Sequence, residues 1–315
     1  MQEEPLTGRP KGSFDRRTVS RTLSEVASAS IADILREGQE PVERARVIGV
    51  TGAPGAGKST LIARLAVHRL QYADRLAVIA IDPTSPRSKG SLLGDRIRME
   101  SLGADPRVFI RSLPSRTAED GLTDNLAEVL AALDAFGFDE VLIETVGVGQ
   151  TGVGVRALAH VDVLVLTPGS GDYVQAMKAG VMETADIYVI NKADLPGADR
   201  MAGELHSVLG RSRAAAPPTV LQVRALDDTG VAELSVALDR KLEGAQTAEA
   251  IAALRQARRK YQVQRLVQRR LAEVIDSMPD SAWNTELASL YRSVVDEMHA
   301  GLTDAVAGSP EGGSI

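Results

Sequence analysis

A chain of 315 residues with 44% hydrophobic and 25% charged residues has the make-up of a folded globular protein, with room for one large α/β domain and appendages. Aromatics at 3%, a single Trp and a net charge of −6 speak against a general polyanion binder or a stacking platform for single-stranded nucleic acid. With no cysteine there is no disulfide, thiol nucleophile or thiolate metal site, which fits a reducing, cytoplasmic setting.

The opening stretch MQEEPLTGRPKGSFDRR has no apolar core and reads as a loose arm over residues 1–14. No run reaches the length of a membrane span, so neither a signal peptide nor a membrane anchor is expected. From Arg17 to Arg36 the apolar residues Val19, Leu23, Val26, Ile31 and Ile34 predict one amphipathic helix, ended by Gly38 and Pro41. The grammar then changes to short β-branched runs at 46–52, 76–82, 107–113, 140–146, 162–168, 187–194 and 219–225. Most are apolar throughout, as strands covered on both faces of a parallel sheet must be. Helical patterns at 59–71, 119–136, 173–184, 198–210 and 230–243 alternate with them. Strand–helix alternation with right-handed crossovers predicts an α/β fold, a doubly wound and mostly parallel sheet.

After Gly244 the strands stop. Residues 248–276 and 282–306 predict two long helices, the second with the stripe Trp283, Leu287, Leu290, Val294, Met298 and Leu302. Such a hairpin must cover its stripe, either on the parent domain or as a dimer arm. The domain plan is therefore an arm and helix over 1–44, a sheet domain over 45–245, a C-terminal helical hairpin over 246–308 and a tail over 309–315, disordered by composition. The run from Arg255 to Arg270 carries seven Lys/Arg and no acid. It reads as a solvated helix face, or as a surface for an acidic partner. His68, His160, His206 and His299 have no ligand spacing and read as surface or packing residues.

Chemistry enters with Gly52-Ala-Pro-Gly55-Ala56-Gly57-Lys58-Ser59-Thr60, a full G-x-x-x-x-G-K-S/T run between a strand and a helix. Glycines let successive backbone N–H groups turn toward a phosphate. Lys58 adds a point charge at the β/γ oxygens, and Ser59 can ligate Mg²⁺. Asn191-Lys192-Ala193-Asp194 closes a later strand. A carboxylate at Asp194 can accept from both N1–H and the 2-amino group of guanine, a donor pair that adenine lacks, so GTP is selected over ATP. Asp82 and Glu144 end apolar strands, where a nearby cation would offset the cost of their charge; an N-cap for Asp82 and a salt bridge for Glu144 are the plainer roles. Asp95 can cap the helix after it.

These phrases, with Ile81-Asp-Pro-Thr-Ser85, Gly90-Ser-Leu-Leu-Gly-Asp-Arg-Ile-Arg-Met99 and Ile143-Glu-Thr-Val-Gly-Val-Gly-Gln150, resemble the MeaB/ArgK-type GTPases over residues 45–240. The resemblance implies a GTPase that docks on an adenosylcobalamin-dependent acyl-CoA mutase, gates loading of its cofactor and protects or rescues it. It implies GTP/GDP as ligand and a homodimer made through the C-terminal helices. By motif it implies a magnesium shell of Ser59, Asp82, Asp95 and Glu144, and nucleotide-sensing switches at 83–95 and 147–156. The segment Gly169–Lys178 resembles a further switch that answers to the partner, with Lys178 and Gln175 as the residues brought to the γ-phosphate. The guanine-capping segment of the family reads Ser-Gly or Ser-Ala, whereas Arg224-Ala225 stands here; the backbone N–H of Ala225 can still serve O6. The region before the sheet is short for the family. Two other readings of the motifs are a nickel-enzyme maturation GTPase, which lacks soft ligands here, and a scaffold or transport accessory that holds GTP without hydrolysing it.

Overall fold

The computed structural model describes residues 14–37, 44–83, 100–115, 122–145, 150–169, 185–210 and 218–306, with backbone alone at 82–83, 100–101, 150–153 and 301–306. The expected loose arm and tail, the helix at 173–184, nearly all of the switch at 83–95 and residues 147–149 of the second switch lie outside them. Seven strands form one wholly parallel sheet: β1 (Arg46–Gly52), β2 (Leu76–Pro83), β3 (Val108–Ser115), β4 (Glu140–Thr145), β5 (Val161–Leu166), β6 (Ile187–Asn191) and β7 (Thr219–Val223). Their order is β3-β2-β4-β1-β5-β6-β7, so the chain winds outward from β1 in both directions. In such a sheet, ligands bind at the carboxyl ends of strands beside the reversal point.

The helices are α1 (Arg16–Ser28), α2 (Ile31–Glu37), α3 (Lys58–Arg69), α4 (Glu100–Gly103), α5 (Leu126–Ala135), α6 (Gln150–Leu158), α7 (Ala198–Leu209), α8 (Val231–Gly244), α9 (Ala248–Ser277) and α10 (Leu287–Val306). Strand side chains alternate between faces. Ile48, Val50, Leu142, Val163 and Val165 meet α3 and α8 on one side. Val47, Val141 and Ile143 meet α1, α5 and α6 on the other, and Leu164 and Tyr188 meet α7. Both faces are buried, which is why the strands read as unbroken apolar runs.

The single helix expected over Arg17–Arg36 is two. Ser30 and Asp33 form a reciprocal cap, with Asp33 N–H donating to Ser30 Oγ (3.1 Å) and Ser30 N–H to Asp33 Oδ2 (3.3 Å), so a new helix starts there. The carbonyls of Val26 and Ala29 are taken by the Asn125 amide (2.8 and 3.1 Å). That amide also explains why the helix expected from 119 begins at Leu126: residues 122–125 are spent on a buried turn against α1. Strand ends also differ from expectation by one to three residues, most at β6, because Lys192 turns left-handed (φ 57°) and the chain leaves the sheet.

The C-terminal hairpin packs partly on its own sheet domain. Tyr261 joins the core under α5 and α6, and Val274 is buried. The basic run of α9, read above as solvated, supplies the polar contacts: Arg258 donates to Leu158 O (2.9 and 2.7 Å), Arg265 to Asp124 (2.7 Å) and Arg269 to Ala29 O (2.9 Å). Long arginine stems cover apolar surface while their heads reach carbonyls, a dual use that a charge pattern does not reveal. The stripe on α10 divides. Leu290, Val294 and Met298 are half-buried where α10 packs on α2 and α9, while Leu287 (80%), Tyr291 (70%) and Trp283 are exposed. No described helix is long and apolar enough to cross a membrane.

Candidate functional site

The site begins at β1, whose last residues run straight into the phosphate loop. Gly52 (φ 150°) passes so close to β5 that a Cβ would sit 2.3 Å from Val165 O. Gly57 has φ 86°, and a Cβ there would lie 2.4 Å from Asn191 Nδ2. Only glycine fits either place, and the result is a tight curl that ends at the N-terminus of α3. Lys58 is buried and folds back over the curl, donating to Gly52 O (2.9 Å) and Ala53 O (3.0 Å). Its ammonium therefore sits over the cradle where phosphate oxygens belong.

Ser59 Oγ donates to Glu144 Oε1 at 2.7 Å, and both residues are buried. A hydroxyl on the first turn of α3 and a carboxylate near the end of β4 are thus brought side by side, 85 residues apart in sequence. Two hard oxygen donors at the mouth of a phosphate loop suit Mg²⁺, which binds through few protein oxygens and the substrate's phosphates. Asp82 is the last residue but one of β2, but its side chain, and all of Asp95, lie outside the described residues. Among the described residues no three His, Asp or Glu side chains gather as a metal cage.

At the carboxyl end of β6 one amide ties the neighbouring loops together. Asn191 Nδ2 donates to Ala56 O in the phosphate loop (2.8 Å), while its Oδ1 accepts from Ala225 N–H (3.2 Å). Lys192 Nζ adds a bond to Gly55 O (2.8 Å). Three loops distant in sequence are thereby locked together. Asp194 is exposed at the carboxyl end of the sheet. Arg224, which replaces the expected serine, turns away to Asp227 (3.2 Å) and Thr229 (3.1 Å) and leaves Ala225 N–H as the group facing Asn191. Thr60 follows Ser59 on α3 and is half-buried. Gln175 and Lys178 lie outside the described residues.

Sequence reading missed two things here. One is the bridging role of Asn191, which no linear spacing announces. The other is Arg69, fully buried at the last turn of α3; its signal is a charged residue on the same helical stripe as Leu61, Ile62, Leu65 and Ala66. Burial alone would depress its guanidinium, but the Glu140 and Asp239 carboxylates more than offset this and raise it.

A family model described as methylmalonyl-CoA mutase-associated GTPase MeaB matches residues 18–280. The chain belongs to the MeaB family. A Pyrococcus abyssi protein is 43% identical over 242 residues, 74% of each chain. GTPase ArgK of Escherichia coli K12 is 37% identical over 193 residues, 59% of this chain and 58% of that one. A mouse protein named methylmalonic aciduria type A homolog, mitochondrial, is 34% identical over 238 residues, 74% of this chain and 57% of its own length. A crystal structure of a LAO/AO transport system kinase superposes with a TM-score of 0.53 at 22% identity, covering 91% of this chain and all of that one; it bears on the fold alone. This MeaB-family protein is accordingly a GTPase that binds GTP and GDP.

Proposed function

We propose that this MeaB-family protein is a magnesium-dependent GTPase that acts as a chaperone of an adenosylcobalamin-dependent acyl-CoA mutase, gating cofactor loading and protecting the mutase. The observation that carries the reading is the family match over residues 18–280, whose description names such a mutase. The Ser59–Glu144 pair supports the magnesium half, because it holds two oxygen donors together at the phosphate loop. Asp82 and Asp95 complete that shell in the proposal. Bound there, Mg²⁺ supplies neutralisation of the charge on the transferring phosphoryl group. The chain's own part is positioning: the loop amides hold the β-phosphate, Lys58 exchanges its carbonyl partners for phosphate oxygens, Ala225 N–H exchanges Asn191 Oδ1 for guanine O6, and Asp194 reads the N1–H and amino edge.

Partner docking is the proposed source of rate. Lys178, with Gln175, is taken as the group delivered late to the γ-phosphate, in the manner of an arginine finger. Phosphate release by the chain alone and with a saturating mutase tests both points. The expected result is slow basal turnover and a strong stimulation by the mutase that is lost in Lys178→Ala, with GDP affinity unchanged. Absence of stimulation by any adenosylcobalamin-dependent acyl-CoA mutase removes the chaperone reading; stimulation that survives in Lys178→Ala removes that lysine.

A further inference from the structure

Helix α3 and strand β4 are joined at both ends. At the nucleotide end, Ser59 meets Glu144 (2.7 Å). At the far end, Arg69 Nε and Nη2 donate to Glu140 Oε1 (2.6 Å) and Oε2 (2.8 Å), with neither side chain exposed to any degree. Ser59 and Arg69 lie about 15 Å apart along the helix. Glu144 and Glu140 lie about 13 Å apart along the strand. The two ties therefore sit at matching ends of one antiparallel helix–strand pair. The Arg69 fork extends further. Nη1 donates to Asp239 (2.6 Å) and to the carbonyl and hydroxyl of Ser235 (both 3.2 Å), which brings in α8, and Arg46 reaches Glu140 (3.1 Å) from β1.

Between the ties, α3 contacts the sheet through Leu61, Ile62, Leu65 and Ala66. Apolar packing of this kind is non-directional and tolerates small slides. A bidentate guanidinium–carboxylate fork does not, because both bonds demand one plane and one spacing. A buried ion pair is also weak as a source of net stability, since desolvation consumes most of its attraction. We propose that Arg69 is a positioning residue of the nucleotide site: by gripping Glu140 it fixes the register of α3 on β4, and with it the placement of Ser59 against Glu144. The proposal rests on the reading of that pair as part of the magnesium shell.

The test is the double variant Arg69→Met/Glu140→Leu, which removes both buried charges together and leaves Arg46 and Asp239 partly solvated. GDP affinity is measured by calorimetry with Mg²⁺ and with EDTA, beside steady-state GTP hydrolysis and a thermal melt. The expected result is an EDTA affinity within about twofold of the unmodified chain, a loss of about tenfold in the magnesium-dependent gain, and a kcat lower by about ten- to a hundredfold at little-changed KM. A shifted melting temperature with the magnesium gain and kcat intact marks the fork as structural only and overturns the proposal. If the double variant does not fold, Glu140→Gln, which keeps one acceptor for Arg69 but sets an N–H donor against its other N–H and so breaks the bidentate grip, decides. A fall of about two- to fivefold in kcat supports the clamp, and no change overturns it. An unmodified chain whose GDP affinity ignores Mg²⁺ instead overturns the magnesium reading, and this proposal falls with it.

Discussion

In the proposed reading, Lys58, Asn191 and Asp194 divide the recognition of one nucleotide among three physical jobs. Lys58 is a point charge already over the cradle, parked on Gly52 O and Ala53 O, so binding exchanges carbonyl partners for phosphate partners. Asn191 holds the phosphate loop and Ala225 in register through its two amide atoms. Asp194 is exposed and accessible to the base. Its carboxylate can accept two donors, whereas an amide can accept one and presents a donor where the other must go. Asp194→Asn is therefore expected to weaken GDP binding by about 2–3 kcal/mol, roughly 30- to 150-fold, with ATP binding still poor. Calorimetry that finds GDP affinity unchanged removes Asp194 from the base site. Motif and spacing single out Lys58, Ser59 and Asp194; the tie from Asn191 to Ala225 has no such signal, because it joins residues that only the sheet order makes neighbours.

At the scale of elements, the seam between β1 and the end of α6 is held by a neutral histidine. Val47 N–H donates to His160 Nδ1 (2.9 Å), and His160 N–H returns a bond to Val47 O (2.8 Å). Burial, and then the positive charge of Arg258, push the imidazole from its ordinary value of 6.5 down to about 4. In the unfolded chain the same group takes up a proton near 6.5, so between those values the unfolded state binds the extra proton. Stability contributed by neutral His160 is thus present above pH 6.5 and is lost as pH falls toward 4. The expected loss is about 2 kcal/mol between pH 7 and pH 5. Urea melts at the two pH values measure it, and His160→Gln, which keeps an acceptor but cannot titrate, is expected to flatten the difference by that amount. An unaltered slope in the variant assigns the pH dependence to other groups. The histidine's type and position gave no hint of this, since nothing local says that residue 160 faces residue 47.

For the whole molecule, the open question of surface is the C-terminal hairpin. Arg258, Arg265 and Arg269 fasten one side of α9 to the sheet domain. The other side presents Val263, Val267 and Leu271, continued by Trp283, Leu287 and Tyr291, all exposed. Exposed apolar side chains repeated at four-residue spacing along one helix face call for a cover. A second copy related by a twofold axis is the cover proposed here, since one self-complementary patch then closes itself. Val267→Glu with Leu287→Glu would place charges in that interface and is expected to weaken self-association by at least about a hundredfold, leaving GDP affinity as it was. Light scattering of the unmodified chain at micromolar concentration reads the starting state, and a monomer there removes the dimer arm. Leu290, Val294 and Met298 are poor positions for this test, because α10 already half-buries them against α2 and α9.

By itself the sequence determined the α/β class, the seven strands, the phosphate loop and the GTPase family, and the reason is the same in each case. Those features depend on residues near one another in the chain: apolar runs long enough to be buried on both faces, glycines before a helix, an acid at a strand's end. The tertiary structure alone decided which distant groups meet. Ser59 finds Glu144 because β4 lies beside β1, Arg69 finds Glu140 because α3 runs back along that strand, and the basic face of α9 finds carbonyls on α6 and the turn after α1. Such contacts are set by strand order and by the angle at which helices return across the sheet, and neither leaves a local mark on the residues it joins.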